Sequence, residues 1–458
     1  MKNTILFLLI SLLLACSGNS KKQGLVDKKE KAIVYTGLDT LPFNKGVKYV
    51  GKRLVDKSNP PVVINYDNPS IKEVDFDISQ YYDKVSYVKL KHPGTEEGRD
   101  HFLTPKVMQV FTGAASVDML FKVLVTDKYI LAGDPFYGLH CYDKDGNFLY
   151  TLSEVENPPK QKKGGMEADL RTLPNVLAHF NVVGNICMYT ILNGEEAMIN
   201  FHDLDTRQTY YQRVLGIQKA MPVDFKTFID YDYTVSQQER VPFINIMNTE
   251  RDTLSRFINY NVLPKFSDSF YYNPGPCNLY YYSNQLTVRQ VSNDTIYRVV
   301  SEKELRPAYI LNWGKKKADL QDLTSGKYAN KKIPWDLLET DKFIYVKYNE
   351  FGDDSKEAKY KRASIFDKGT HRVFIIMNKE NEEEDNLVIK NSIREGIPFR
   401  NRQMKSLGKG LYCVYLKEDL KALIDSRSFA SFPSNQQEKI KSMNNGLEEK
   451  EILIMLIE

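Results

Sequence analysis

A chain of 458 residues, of which 42% are hydrophobic, is long enough to bury a sizeable core, and its length alone allows two to three ordinary domains. Aromatic residues make up 12% of the chain, with 29 Tyr and 23 Phe, and such side chains favour the half-buried surfaces of β-sheets. The formal net charge is only +4 although 27% of the residues are charged, so the composition excludes a basic footprint for nucleic acid.

The start of the chain is typical of a secretory signal. Lys2 supplies a positive charge, and residues 5–14 are almost entirely apolar. An apolar run of about ten residues is too short to span a hydrocarbon core as a helix. Residues 13–16, Leu-Leu-Ala-Cys, resemble the bacterial lipobox, in which cleavage leaves the Cys as the first residue and a lipid is attached to its thiol. We therefore predict a signal peptide at residues 1–15 and a membrane anchor through lipid on Cys16.

The residues after the cysteine bear on the choice of membrane. In bacterial lipoproteins an Asp at the next position tends to retain the protein in the inner membrane, and this chain has Ser17, so the resemblance favours the outer membrane. Some Bacteroidetes lipoproteins reach the cell surface with an acidic cluster at this point, whereas this chain has Lys21 and Lys22. The periplasmic face and the cell surface therefore both stay open. Residues 16–70 are predicted as a lipidated tether, because residues 17–30 are polar and Lys-rich and Pro-containing breakers follow.

From residue 71 onward one pattern recurs, in which two strand-like runs, a polar turn and a third run follow one another. The turns are rich in Asp, Asn, Gly or Thr and fall near residues 145, 205, 250, 294 and 368. The apolar helix expected of a βαβ crossover is missing from these units. We predict an all-β fold for residues 71–458, a β-propeller with six blades of antiparallel strands. The six predicted units are residues 117–152, 175–215, 220–262, 270–314, 335–378 and 385–418.

Segments at both ends of the body are predicted to close the ring. Residues 71–76 and 85–90 are strand-like and are expected to complete the last blade. The apolar run Glu451–Ile457 is expected to pack near them as a strand, because an unpaired edge of this kind is prone to aggregation. Helix is expected only in short pieces, at residues 418–424 and 435–443.

Several phrases of the body resemble the six-bladed β-propeller lipoproteins of Bacteroidetes, a family largely without assigned biochemistry. The phrases are residues 71–75, 85–90, 127–148, 296–315 and 444–456. The resemblance covers nearly the whole chain past residue 70 and implies a propeller fold rather than a function. Relatives often carry a Gly-x-Gly-Pro-Gly-Glu phrase after the first hairpin, and residues 157–166 differ from it here, so no role tied to that phrase is carried over.

The motifs that bear on metal binding have simpler interpretations. Residues 143–147, Asp-Lys-Asp-Gly-Asn, superficially resemble a calcium loop, but the sixth residue is Phe148 where such a loop needs Gly, so a hairpin turn is favoured. The histidines lack the His-x-x-x-His spacing of a helical zinc site and are interpreted as solvated or structural residues. They are His92, His101, His140, His179, His202 and His371. We predict no metal site and no cofactor.

Four cysteines remain once Cys16 is acylated, namely Cys141, Cys187, Cys277 and Cys413. In an exported protein four cysteines allow three full pairings, and the sequence does not choose among them. Because these cysteines lie far apart in apolar, strand-like runs, buried free thiols that act as small hydrophobic residues are the favoured interpretation.

Two classes of function follow from the predicted fold. A propeller presents a funnel at one end of its channel, which favours a non-enzymatic binding or scaffold protein with a glycan, peptide or protein ligand. The alternative is a hydrolase or lyase acting on polysaccharide or peptide at the same funnel. No catalytic residue is nominated, because the chain has no Gly-x-Ser-x-Gly elbow and glycoside cleavage depends on the distance between two carboxylates. Tyrosine clusters such as residues 231–233, 270–272 and 280–282 suit sugar stacking but are interpreted as sheet residues.

Overall fold

The computed structural model describes most of the chain from residue 47 onward. The described residues are 47–91, 111–112, 115–116, 122–134, 138–153, 176–193, 196–215, 220–224, 226–231, 242–250, 252–258, 278–290, 293–319, 322, 328–353, 360–377, 387–448 and 451–458. The predictions for Cys16, Cys277, His92 and His101 lie outside these residues.

Six antiparallel sheets follow one another in the described chain and form the six blades of a propeller. Blades 1 to 3 consist of Lys122–Val125, Tyr129–Asp134, Gly138–Asp143 and Phe148–Ser153; Val176–Val183, Ile186–Asn193, Glu196–Asp203 and Gln208–Leu215; and Ala220–Pro222, Thr227–Tyr231, Pro242–Asn248 and Thr253–Ile258. Blades 4 to 6 consist of Asn278–Tyr282, Gln285–Arg289, Thr295–Ser301 and Glu304–Asn312; Lys332–Glu339, Phe343–Glu350, Tyr360–Asp367 and Arg372–Ile376; and Met404–Ser406, Leu411–Tyr415, Glu451–Ile457 and Val85–Lys91. The predicted all-β, six-bladed fold is confirmed.

Hydrophobic clusters hold each blade to the next around the ring. Between blades 2 and 3, for example, Phe201 and Phe228 are both buried, with ring centroids 6.1 Å apart. Between blades 6 and 1, Ile454 and Ile130 are fully buried in a shared cluster. Because such a cluster fills the interface between the last blade and the first, the ring is closed, and each buried aliphatic or aromatic side chain stabilises it by roughly 1.5–3 kcal/mol.

The turn after the first strand has the same design in blades 1 and 5, because the sequence repeats a Thr-Asp-Lys-aromatic-Ile phrase. Thr126 Oγ1 accepts a hydrogen bond from the backbone N–H of Tyr129 at 2.9 Å, and Thr340 Oγ1 accepts one from Phe343 at 3.1 Å. In both turns the backbone N–H of the threonine also donates to the carbonyl of that aromatic residue. The threonine side chain therefore fixes a tight turn locally.

The Asp143 turn is a hairpin between the third and fourth strands of blade 1, as interpreted from the sequence. The Asp143 carboxylate accepts hydrogen bonds from the backbone N–H groups of Asp145 at 3.0 Å and Asn147 at 2.8 Å. Gly146 has a φ of +88°, and a Cβ there would lie 2.5 Å from the carbonyl oxygen of Lys89, so a larger residue would clash. Within the described chain, no group of three or more His, Cys, Asp or Glu is placed to hold a metal ion.

Residues 47–74, which we call the strap, run along the outer edges of blades 3 to 5. The Tyr49 backbone N–H donates to blade 3, and Lys52–Arg53 and Val62–Asn65 pair in parallel with the fourth strand of blade 4. The predicted tether limit at residue 70 is therefore wrong, and the folded body includes the chain from residue 47. The physical reason is that a parallel strand on an outer edge satisfies its backbone groups without any turn of its own.

The strap also contributes apolar side chains to the core. Ile64 is fully buried, and the ring of Tyr66 stacks on that of Trp313 with centroids 3.8 Å apart. Its last strand, Lys72–Val74, pairs in parallel with Arg372–Ile376 of blade 5. The prediction that residues 71–76 complete the last blade is thus wrong.

The final strand closes the ring as predicted. Glu451–Ile457 pairs antiparallel with Leu411–Tyr415 on one side and with Val85–Lys91 on the other. All seven of its residues are buried. Blade 6 is therefore built from both ends of the body, and the predicted strand at residues 85–90 takes part in closure.

Two helices lie between the second and third strands of blade 6, close to the predicted positions. They are α1 (Lys417–Ile424) and α2 (Ser434–Gly446), and both pack into the cluster between blades 5 and 6. Nowhere in the described chain is a helix long and apolar enough to cross a membrane. The remaining elements are the 3-10 helices Ile78–Gln80, Gly314–Lys316, Asn401–Gln403 and Arg427–Ser431, and the paired strands Phe111–Thr112 with Ala115–Ser116 and Val388–Ile389 with Phe399–Arg400.

Candidate functional site

A cavity of about 1050 Å³ is lined by residues from the first strand of every blade. These strands are therefore the inner strands of the ring, and the cavity is the central channel. The turns that follow the inner strands in blades 1, 2, 4 and 6 surround one end of the channel, which we call the mouth. This volume matches that of a small-molecule site.

A buried ion cluster closes the channel wall between blades 4 and 5. The Glu339 carboxylate is completely buried and accepts hydrogen bonds from Arg298 at 2.6 Å and Lys368 at 2.8 Å, and from the hydroxyls of Tyr280 at 3.0 Å and Tyr309 at 2.9 Å. Burial opposes the charge on Glu339, but the hydrogen bond and charge of Arg298, followed by those of Lys368, hold its pKa below the usual value. This Glu339 cluster is fully satisfied by the protein itself.

The second carboxylate of the inner wall, Asp336, also has a cation. Lys347 Nζ lies 3.2 Å from Asp336 Oδ2, and the same ammonium lies 4.8 Å from the ring centroid of Trp335. Both carboxylates on the inner strand of blade 5 are thus already neutralised by neighbouring groups.

Lys122 occupies the inner strand of blade 1 and reaches across to blade 2. Its ammonium donates hydrogen bonds to the Phe180 carbonyl at 2.9 Å and to Asn181 Oδ1 at 3.0 Å. No carboxylate lies at ion-pair distance from it in the described chain. Burial, with a smaller contribution from the charge of Lys405, lowers the pKa of Lys122 to about 7.

Lys405 is the middle residue of the short inner strand of blade 6 and is exposed within the channel. Within the described residues its ammonium forms neither a hydrogen bond nor an ion pair. The surrounding blades crowd this side chain, and the resulting desolvation lowers the pKa of Lys405, with Asp336 opposing the shift and Lys347 adding to it. The inner strands of blades 6 and 1 therefore bring two unmatched lysines to the channel wall.

Polar side chains span the mouth of the channel. Asp205 accepts hydrogen bonds from Lys128 Nζ and from the hydroxyl of Tyr129, both at 2.9 Å. The backbone N–H of Gly184 in blade 2 donates to Asn284 Oδ1 in blade 4 at 3.3 Å. These contacts join the turns of blades 1, 2 and 4 and narrow access to the interior.

The described cysteines are buried free thiols, as interpreted from the sequence. Cys141, Cys187 and Cys413 form no disulfide. Burial raises the pKa of Cys141 to about 11 and raises those of Cys187 and Cys413 further. A thiol that stays protonated is a poor nucleophile, so these three residues act as core side chains.

The other residues singled out in the sequence serve mainly to join strands. His202 Nε2 is 3.1 Å from the hydroxyl of Tyr150, and its Nδ1 is 3.2 Å from Thr209 Oγ1. Tyr280 and Tyr281 line the channel, but their hydroxyls are bonded to Glu339 and to the Pro222 carbonyl. Sequence reasoning missed the two channel lysines, since a Lys beside apolar strand residues normally indicates a solvent-facing position.

Comparison with one solved structure supports the fold, and two others are more distantly similar. A Bacteroides fragilis protein described as a "putative exported protein" superimposes with a TM-score of 0.52 at 14% identity, covering 87% of this chain and 99% of its own. A member of the DUF4221 family from Bacteroides vulgatus gives a TM-score of 0.37 at 9% identity, covering 83% of this chain and 99% of its own. A protein of unknown function from Bacteroides thetaiotaomicron gives 0.34 at 8% identity, covering 82% and 77%.

Comparison at the level of sequence gives a family but no characterised relative. The profile of a domain of unknown function, DUF4933, matches residues 44–426. No curated protein matches the chain. The matched range begins close to the start of the strap, in agreement with the strap being part of the folded body.

Proposed function

This chain belongs to the DUF4933 family, and we propose that it is a lipid-anchored protein of the bacterial envelope whose central channel binds a ligand. The observation that carries the proposal is the exposed ammonium of Lys405 inside a cavity of about 1050 Å³. An enclosed charge without a partner costs folding free energy. A charged side chain that lowers the stability of the fold and yet lies inside a cavity of ligand size is typical of a binding site.

The anchor part of the proposal rests on the start of the sequence. The Leu-Leu-Ala-Cys motif at residues 13–16 supports acylation of Cys16, and Ser17 supports the outer membrane, on its periplasmic face or at the cell surface. We expect Cys16→Ala to move the protein from the membrane to the soluble envelope fraction, while Ser17→Ala remains membrane-bound. Fractionation with detergent partitioning measures both, and a membrane-bound Cys16→Ala protein would contradict the lipid anchor.

Binding is favoured over catalysis by the state of the channel carboxylates. Hydrolysis of a glycan needs one carboxyl group as acid and a second as nucleophile or base. On the inner wall Glu339 is held by Arg298 and Lys368, and Asp336 is held by Lys347. Carboxylates engaged in this way stabilise the wall and are poorly suited to proton transfer.

Blocking the channel tests the binding role. Leu124→Trp adds bulk to the lining, and Val300→Trp places the same side chain at an exposed position in blade 4. We expect disaccharides, tripeptides, carboxylic acids or sugar phosphates to raise the melting temperature of the wild type and of Val300→Trp, but not of Leu124→Trp, once both variants are shown to melt cooperatively. A ligand that stabilises Leu124→Trp equally binds elsewhere, and a panel without any effect counts against the proposal.

A further inference from the structure

Along the channel, some charged side chains have an ion-pair partner within the protein and others do not. At the mouth Asp205 pairs with Lys128 at 2.9 Å, and on the inner wall Glu339 and Asp336 each have a cation of their own. Each of these carboxylates is therefore neutralised by the protein. On the inner wall a cationic ligand would have to displace an existing ion pair, and among the described carboxylates that line the channel only Asp127, at the mouth, forms none.

The lysines on the inner strands of blades 6 and 1 differ from these carboxylates, because the protein does not neutralise them. Lys405 and Lys122 both line the channel, and within the described residues neither has a carboxylate at ion-pair distance. Lys122 also lies within electrostatic range of Lys405, and Lys405 lies within range of Asp336 and of Lys347, the cation that pairs with Asp336. Because Asp336 already pairs with Lys347, the repulsion between Lys405 and Lys122 in a partly desolvated space is left unbalanced, and an anion between the two lysines would balance it.

Building on the proposed binding role, we infer that the ligand of the channel is a compact organic anion, a carboxylate or a phosphate ester, whose charged group is bound between Lys405 and Lys122. Leu124, Met221 and Leu279 line the same cavity and provide apolar contact for the uncharged part of the ligand. Hydrogen bonds from an ammonium to a carboxylate or phosphate oxygen are among the strong ones in proteins.

Anionic aldehydes offer a direct probe, because an aldehyde condenses with the neutral amine of a lysine, water leaves, and borohydride reduces the resulting imine to a stable secondary amine. Two matched pairs separate the sources of charge: pyridoxal 5′-phosphate against pyridoxal, and 4-formylbenzoate against benzaldehyde. Peptide mass spectrometry of the full chain reports the labelled positions. Lys72, exposed on the outer edge of blade 5, is the internal reference.

We expect at least one anionic reagent to label Lys405 about tenfold faster than its neutral partner, a difference of about 1.4 kcal/mol, because a charge-assisted contact holds the anionic reagent in the channel. Lys72 should show no such preference. Millimolar phosphate should protect Lys405 if the phosphate pair shows the effect, and citrate if the carboxylate pair does. Lys405→Met should weaken the preference of the remaining lysine, Lys122, whereas Lys72→Met should not.

The outcomes separate this inference from the binding role itself. If the neutral aldehydes label Lys405 as fast as the anionic ones, and both well above Lys72, the channel admits ligands but does not select anions, and the inference fails alone. If no reagent labels Lys405 faster than Lys72, the channel does not take up small molecules, and the proposed function fails with it. If Lys72 prefers the anionic reagents to the same extent, the effect is a general attraction of anions to lysine side chains, and the inference is also overturned.

Discussion

Two parts of the channel wall carry charged side chains that differ in whether the protein supplies an ion-pair partner. Between blades 4 and 5, Glu339 is surrounded by two cations and two hydroxyls, all within 3.0 Å. Between blades 6 and 1, Lys405 and Lys122 lie near each other without a carboxylate at ion-pair distance in the described chain. The first region stabilises the ring, and on our proposal the second binds a ligand.

Removing the carboxylate at the centre of the Glu339 cluster should have the largest effect on the free energy of unfolding. Glu339→Gln leaves Arg298 and Lys368 close together without their carboxylate, and breaking a buried ion pair in this way costs about 3–5 kcal/mol. Urea unfolding measures the loss. Asp145→Asn removes the same charge from an exposed turn and should change the free energy of unfolding by less than about 0.5 kcal/mol. Equal effects of the two substitutions would show that the cluster is not structural.

The same substitution on the two sides sharpens the comparison. Lys368→Met removes one of the two cations of Glu339 and should destabilise the protein by about 1.5–3 kcal/mol, the value of a hydrogen bond to a charged group. Lys405→Met removes an ammonium without a partner and should leave the free energy of unfolding unchanged or raise it. A comparable loss in both variants, measured by urea unfolding, would abolish the distinction between the two regions.

A smaller change probes the hydroxyls of the cluster. Tyr309→Phe removes one hydrogen bond to Glu339 and leaves both cations in place, so we expect a loss of about 1–2 kcal/mol. Tyr210→Phe, at an exposed position in blade 2, is the control and should cost less than about 0.5 kcal/mol. Thermal melts of both variants decide whether the hydroxyl contributes.

The smallest expected effect is the dependence of stability on pH. Burial lowers the pKa of Lys122 to about 7, so between pH 7 and its unfolded value near 10.4 the unfolded chain binds more protons than the native one. Stability should therefore rise with pH, by about 1 kcal/mol between pH 6 and 8. The groups that face Lys122 are Lys405, Asn181 and Cys187. The rise should be clearly smaller in Lys122→Met, and an unchanged rise there would assign it to another group, such as His202, whose pKa burial also lowers.

Local turn chemistry explains why the blades could be predicted from the sequence. The Asp143 and Thr340 turns use side-chain hydrogen bonds to residues two to four positions away, so a short phrase is enough to predict a hairpin. Repetition of such phrases then yields the six units. The buried final strand was equally predictable, because an apolar run of that length needs a partner.

The strap and the channel site depend on contacts that no short phrase encodes. Lys52–Arg53 and Val62–Asn65 pair with a strand some 250 positions further along the chain, and no turn sequence beside them predicts this pairing. Lys405 and Lys122 resemble solvent-facing strand residues until the ring places both on its inner strands. Membership of the inner wall is a property of the closed ring, and a single sequence does not contain that information in local form.

The position of the last strand in the sequence determines when the ring can close during folding. Val85–Lys91 leaves the ribosome early, but its partner, Glu451–Ile457, is the last of the ring's strands in chain order. Until those residues have been synthesised, the early strand lacks its neighbour and blade 6 cannot meet blade 1. Closure of the ring therefore requires this strand. A truncated chain that lacks Glu451–Ile457 cannot join blade 6 to blade 1, and we expect proteases to cleave it more readily than the full protein.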